Sequence, residues 1–424
     1  MKKLMALALV LVLMLPCVQG FAQAKEPVTL TLWHISTAEN RIAVFDRAIA
    51  RFNEEYPNVK VEVSIFENDP YKTKLKTSMG SGEAPDIFHS WGGGWLHEFV
   101  KEGLVYNISD AVNAGLGADI SAGFKNLAQY DGQYYGLPYL GSAALVYYNS
   151  ELFEKFGLTY PETFEELMQV AKTFKDNGIL PFALGNASAW PGALTFIYLS
   201  MRKGGTDVFT KAYNRESGYT FEDESWIWAG HQIQTMIKEG WYPQGVNGIN
   251  YDTGGSRMMM YTEMAAMIVQ TTGFVSNAEV ESPEFFAKMK VGKYPTVADG
   301  KGSADDMLGG GNVFSISEKC EHKEEALALL KYLLSAETGQ DFLTNAASVP
   351  PQAGMQAKSP QMQQVMDIIG QAAYVQNFYD QGLPAAMGDL HKETTQAIFG
   401  LDMTPEEAAA TMEKKAVEVL GPAK

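Results

Sequence analysis

"VTLTLWHISTAENRIAVFDRAIARFNEEYPNVKVEVSI", residues 28–65, contains one complete change of rhythm and back. From Val28 to Trp33 apolar and polar residues alternate, the period of a strand. Glu39 and Asn40 then open a segment in which Ile42, Phe45, Ile49, Phe52 and Tyr56 recur every three or four residues, one face of a helix. Pro57 disfavours helical backbone in the residue before it and ends the segment. Val59–Ile65 alternates again. Strand, helix, strand over this length is a βαβ unit, so an α/β protein with a parallel sheet is expected.

A third strand follows the breaker Pro85, at Asp86–Ser90, and runs into "SWGGGW" (90–95). Ligands of open α/β sheets collect beyond the carboxyl ends of the strands. The segments "HISTAEN" (34–40) and "SWGGGW" therefore point at one crevice. Gly92, Gly93 and Gly94 permit backbone conformations that a Cβ forbids, so they can turn the chain sharply and expose amides there. Farther along, Asp131-Gly132 signals a hairpin turn, and Thr163 with Glu166 forms a capping box for a helix to about Asp176. "MAAMIVQTTG" (264–273) reads as a strand with a polar end, and "GGGNVFSIS" (309–317) as a second glycine run feeding a strand. Ala326, Leu329, Leu330 and Leu333 mark an amphipathic helix. The last helix starts at Thr404-Pro405, with Glu407 in the capping-box position, and stops at Gly421.

The chain has 424 residues, too many for one ordinary core, and two lobes are expected. It carries 33 Lys and Arg against 50 Asp and Glu, a formal charge of −17. A nucleic-acid binder needs a basic stripe, so no nucleic-acid partner is expected. Lys2 and Lys3 precede the apolar run Leu4–Leu15, and Ala22-Gln23-Ala24 follows as a small-x-small site, the pattern of a signal peptide over residues 1–24. The destination is then periplasmic or extracellular. Lipidation of Cys17 is the alternative, although Pro16 fits a lipobox poorly. After cleavage only Cys320 remains, so no internal disulfide is expected.

Signals for catalysis are absent from the sequence. The six histidines (His34, His89, His97, His231, His322, His391) show no metal-ligand spacing. There is no G-x-S-x-G elbow and no P-loop. No catalytic residue, metal or cofactor is therefore expected. Aromatic residues beside turn signals are enriched instead: Trp33, Trp91, Trp95, Tyr139, Trp190 in "GNASAWPG" (185–192), and Tyr251 in "NGINYDTGGS" (247–256). A sugar offers an apolar C–H face and a rim of hydroxyls, which flat rings, amides and carboxylates complement. A secreted glycoside hydrolase, or a sugar sensor or adhesin, would share these features and stays open on the residues alone.

The segments "LTLWH", "RIAVFDRAIARFNEEYPNVKVEV", "APDIFHSWGGGWLHEFVKEGLVYNISD", "GQYYGLPYLGSAALVYYNSELFEKFGL", "YPETFEELMQVAKTF" and "FSISEKCEHKEEALALLKYLLSAETGQDFL" resemble the bacterial extracellular solute-binding proteins of sugar ABC importers. The likeness runs from Leu30 to the C-terminal helix. Within that family, "DIFHSWGGGWLHEFV" and "LGNASAWPG" look most like the raffinose-type, α-galactoside branch. The resemblance implies the two-lobed periplasmic-binding-protein fold, with a three-crossover hinge and a ligand cleft between α/β lobes. It places the crossovers near Gly141–Ala144, Tyr294–Val297 and Asn345–Pro350. The lobes would be 25–141 plus 297–345, and 144–295 plus 349–424. It further implies a monomer that closes on a di- or oligosaccharide and docks on ABC permease subunits. The ligand-binding residues it implies are Ser36, Glu39 and Asn40 after the first strand, and Trp91, Gly93 and Trp95 at the glycine run, with Trp91 preferred for stacking. Tyr139, Trp190, Tyr251 and Asp252 follow, then Thr271 and Thr272, Gly310, Gly311 and Asn312, and Asp380. Phe274 stands where relatives often have a tryptophan.

Overall fold

A computed structural model describes residues 26–352 and 354–424. The expected signal peptide and Cys17 lie outside them. The opening unit is the one the sequence pattern predicts: β1 (Val28–His34), α1 (Glu39–Glu55) and β2 (Val59–Ile65), with β1 and β2 parallel. Phe45 and Phe52 bury one face of α1, together with Val44 and Ala48, whereas Ile42, Ile49 and Tyr56 stay half-buried. Then come α2 (Asn68–Ser81), β3 (Ile87–Ser90) and α3 (Gly93–Lys101). The hairpin at Asp131-Gly132 has positive φ at both residues, 46° and 75°, the geometry of a tight two-residue turn.

The second half of the molecule is built on β4 (Leu137–Asn149), α4 (Phe164–Asp176), β5 (Leu180–Ala183), α5 (Trp190–Gly204) and α6 (Glu224–Lys238). It continues with β6 (Ala265–Thr271), α7 (Gly273–Glu281), β7 (Met289–Gly292) and β8 (Asp306–Ile316). The chain then forms α8 (Lys323–Leu333), α9 (Ala336–Asn345), β9 (Tyr374–Asn377), α10 (Tyr379–Gly382), α11 (Ala385–Gly400) and α12 (Pro405–Leu420). Both capping boxes, Thr163 with Glu166 and Thr404 with Glu407, close in both directions. The nine main strands join in the order β2-β1-β3-β8-β4-β6-β5, with β9 on β8 and β7 on β4.

Two strands of that sheet belong to both lobes. Leu137–Leu140 of β4 pack in the first-lobe core, with Phe45, Phe314 and Phe342. Ala144 and Val146 pack in the second, with Phe174, Phe182 and Tyr198. Antiparallel β8 does the reverse: Leu308 lies in the second-lobe core, Phe314 and Ile316 in the first. The two strands cross where Gly141 faces Gly311, Ser142 faces Gly310 and Ala143 faces Gly309. The glycine run 309–311 therefore lies within a strand rather than ahead of it. Ala346 packs in the first-lobe core, and Val349 beyond it accepts a hydrogen bond from Gly141 N at 2.9 Å.

The middle crossing departs from the expected Tyr294–Val297. Tyr294 stacks on Tyr198 at 4.8 Å, and Val297 is also in the second-lobe core. The cause is Arg202, 1% exposed, which donates to the carbonyls of Tyr294 (3.0 Å) and Asp306 (2.8 Å). A buried guanidinium must be satisfied by acceptors, and these ones tie 294–306 to the second lobe. The crossing is thereby moved to Gly309–Gly311.

Candidate functional site

A cavity of about 310 Å³ lies between the lobes. The first lobe contributes Arg41, Glu67, Asn68, Lys72, Trp91 and Asn312. The second contributes Trp190, Tyr251, Asp252, Arg257, Thr271 and Thr272, and the crossing strands add Gly141 and Gly311. This is the size of a small-ligand pocket.

Trp91 follows directly on the carboxyl end of β3. Its ring meets Trp95 edge-on, with centroids 5.0 Å apart and planes at 88°. Trp91 lines the cavity and Trp95 lies beneath it, among Phe99 and Leu96. The Lys72 ammonium sits 4.8 Å from the Trp91 ring centroid and 3.6 Å from Asp380. Burial lowers the pKa of Lys72, and Asp380 opposes that shift.

On the opposite wall, Ala189 adopts φ 60° and launches α5 at Trp190. Buried Asn186 fixes that loop: it accepts from Gly192 N at 2.9 Å and donates to Asn247 at 2.8 Å. Trp190 meets Tyr251 edge-on at 5.4 Å and 85°. Tyr251 is itself clamped by Arg257, which donates to its carbonyl and to both carboxylate oxygens of Glu281 at 2.8 Å. Asp252 accepts from Ser188 at 3.2 Å. Burial raises its pKa, and the nearby carboxylates of Asp69 and Glu67 add to the rise. The acids of the two lobes thus face one another here.

The expected site residues divide sharply. Trp91, Trp190, Tyr251, Asp252, Thr271, Thr272, Gly311, Asn312 and Asp380 all line the cavity. The other expected residues do not. Tyr139 is 1% exposed, stacks on Phe314 at 4.2 Å and lies 3.0 Å from His89 Nδ1. Ser36 is buried beneath the loop, hydrogen-bonded to His34 Nδ1 through its amide. Trp95 supports Trp91. Glu39 is exposed in the first turn of α1, where a carboxylate favours the helix dipole. Asn40 donates to Ser276 at 3.1 Å, a contact from one lobe to the other.

Gly93 and Gly310 are not among the residues that line the cavity. Their spaces are filled: a Cβ on Gly93 would come within 2.5 Å of the Gln381 carbonyl, and one on Gly310 within 3.0 Å of Phe378. The same holds for Gly92 against the Leu127 carbonyl (2.2 Å) and Gly94 against that of Leu383 (2.6 Å). The run is a strand-to-helix turn, with φ 71° and 57° at Gly92 and Gly93, and α3 begins inside it. Glycine here lets the chain approach the backbone of Leu127 in its own lobe and of Gln381 and Leu383 in the second lobe.

Arg41, Lys72, Arg257, Asn277, Glu281, Ser348 and Gln381 line the cavity without having been singled out in the sequence. Arg41 carried a readable signal: a cation in the first turn of a helix opposes the dipole and needs another reason to be there.

Burial pushes the pKa of His34 and His391 down to about 4, and likewise pushes that of His89 well below the usual histidine range. Among the described residues no cluster of His, Cys, Asp and Glu could hold a metal ion, and no helix is long and apolar enough to cross a membrane.

Comparison with known proteins agrees with this architecture. A solved structure from work on xylan utilization by the thermophilic bacterium Caldanaerobius polysaccharolyticus superposes with a TM-score of 0.85 at 30% identity, covering 91% of this chain and 99% of that one. The multiple sugar-binding protein of Streptococcus mutans is 20% identical over 336 residues, 78% of this chain and 77% of its own length. An uncharacterized ABC transporter extracellular-binding protein of Pyrococcus horikoshii is 27% identical over 193 residues, 44% of each chain. The model of the bacterial extracellular solute-binding proteins matches residues 38–340. The chain belongs to the bacterial extracellular solute-binding protein family.

Proposed function

We propose that this protein captures a carbohydrate, a di- or oligosaccharide, between its lobes and delivers it unaltered to the permease of an ABC importer. The observation that carries the reading is the pairing of aromatic walls from opposite lobes. Trp91 comes from one lobe and Trp190 with Tyr251 from the other, and Asp252, Asn312, Thr271 and Thr272 line the same cavity. Rings cover the C–H faces of a pyranose, and the carboxylate, amide and hydroxyls pair with its hydroxyl rim. A ligand shifts a hinge equilibrium only through its differential affinity for the closed form. Contacts from both lobes supply that difference, and the crossing at Gly141 and Gly309–Gly311 supplies the hinge. The naming of the Streptococcus mutans relative as a multiple sugar-binding protein supports the same class of ligand.

The test is a thermal-shift and calorimetric screen of the purified chain against mono-, di- and trisaccharides, neutral and acidic. At least one saccharide is expected to raise the melting temperature and bind at micromolar concentration or below. Chromatography of the same mixtures is expected to return the sugar intact. Steady release of products would move the protein to the glycoside hydrolases. A blank screen would remove carbohydrate as the ligand.

A further inference from the structure

Arg41 is a half-buried cation at the cavity wall, without a counter-ion among the described residues. It lines the cavity wall, and its Nε donates to Ser348 Oγ at 2.9 Å. Among the described residues no carboxylate lies within ion-pair distance of its guanidinium. The other cavity cations are paired, Arg257 with Glu281 at 2.8 Å and Lys72 with Asp380 at 3.6 Å. Asp252 lines the same cavity but makes no ion pair with Arg41 and accepts from Ser188 at 3.2 Å instead. Glu39, two residues away on α1, is exposed and lies off the Arg41 face.

Acids line other parts of the cavity, Glu67 and Asp252 among them, but the helix ends nearest Arg41 add positive potential. Arg41 occupies the first turn of its own helix, α1. Its Nη2 lies 3.3 Å from where a Cβ on Gly273 would stand, at the start of α7, whose first turn holds no acidic residue. Helix N-termini present unsatisfied N–H groups and partial positive charge. Two such ends and a guanidinium thus converge on one corner of the cavity, and burial pushes the Arg41 pKa down. A half-buried guanidinium with no carboxylate beside it is free to take an anion from the ligand.

Resting on the carbohydrate reading above, we infer that the ligand is an acidic saccharide whose uronate carboxylate sits on the Arg41 guanidinium at the hinge end of the cavity. A uronate keeps the apolar face that Trp91, Trp190 and Tyr251 can cover. It replaces the hydroxymethyl group with an anion that a guanidinium can hold through two parallel hydrogen bonds.

Calorimetry on the purified chain tests this with matched pairs: glucuronate against glucose, galacturonate against galactose, and digalacturonate against galactobiose. The acidic member of at least one pair is expected to bind at least tenfold tighter than its neutral partner. Arg41→Gln is expected to abolish that preference, and Arg41→Lys to keep part of it. Arg41→Gln retains a side-chain donor toward Ser348; should it fail to fold, the wild-type pairs decide alone. Neutral members binding as tightly as acidic ones, or glucose 6-phosphate binding tighter than glucuronate, would overturn the inference and leave the carbohydrate reading standing. Failure of every sugar, acidic and neutral, would remove both.

Discussion

Trp190→Ala lowers affinity for the bound saccharide at least tenfold in titration calorimetry, with the fold retained. The indole stands at the first residue of α5, held by the αL turn at Ala189 and braced edge-on by Tyr251. A sugar face laid on it removes apolar area from water. Covering ~60 Å² at ~25 cal/mol/Å² gives about 1.5 kcal/mol, and a tenfold change is about 1.4 kcal/mol. Trp190→Phe keeps a flat ring on the same mount and is expected to retain most of the affinity. Unchanged binding in the alanine variant would remove Trp190 from the site. Trp91 is the less informative target, because Lys72 already lies over its ring and the two effects would mix.

Gly94→Ala is the second substitution with a large expected effect, on stability. A methyl group at Gly94 would approach the carbonyls of Leu383 and Gly382 to 2.6 and 2.7 Å. These are backbone atoms and cannot swing aside, so α3 must move off the segment 382–385. That movement also strains the bond from Ala385 N to Glu98 at 2.8 Å. Overpacking of this kind costs about 1–3 kcal/mol, and the melting temperature is expected to fall by several degrees. Gly80→Ala is the control. It sits in α2 with nothing within 4 Å, and a helical glycine replaced by alanine gains up to about 1 kcal/mol. Equal melting temperatures for the two variants would show that the glycine run is not there for close packing.

The regular elements were readable because their periods were clean, as in β1, α1 and β2, and because caps such as Thr163 with Glu166 announce a helix start. The run at 92–94 makes the sharp turn its glycines suggest, but the reason for glycine is close backbone contact with Leu127, Gln381 and Leu383, partners that the local sequence does not reveal. The middle crossing was hidden for a similar reason. Arg202 reads as a surface residue in any composition argument, but it is buried and anchors the carbonyls of 294 and 306.

Within the site, turn signals located aromatic residues without giving the direction of their rings. Trp91, Trp190 and Tyr251 reach the cavity, while Tyr139 and Trp95, read by the same rule, go into the cores beneath it. A loop position fixes where a side chain starts; packing decides which way it goes. The charged lining, Arg41 and Arg257 above all, comes from α1 and from the helical turn after Tyr251. Only the fold brings those stretches together.

Small-angle scattering of the purified chain, with and without the saccharide that binds tightest in the screen, tests the central claim most directly. If the two lobes close on the sugar about the strands that cross at Gly141 and Gly309–Gly311, the radius of gyration falls on saturation. A radius that stays the same while calorimetry reports full occupancy would contradict closure.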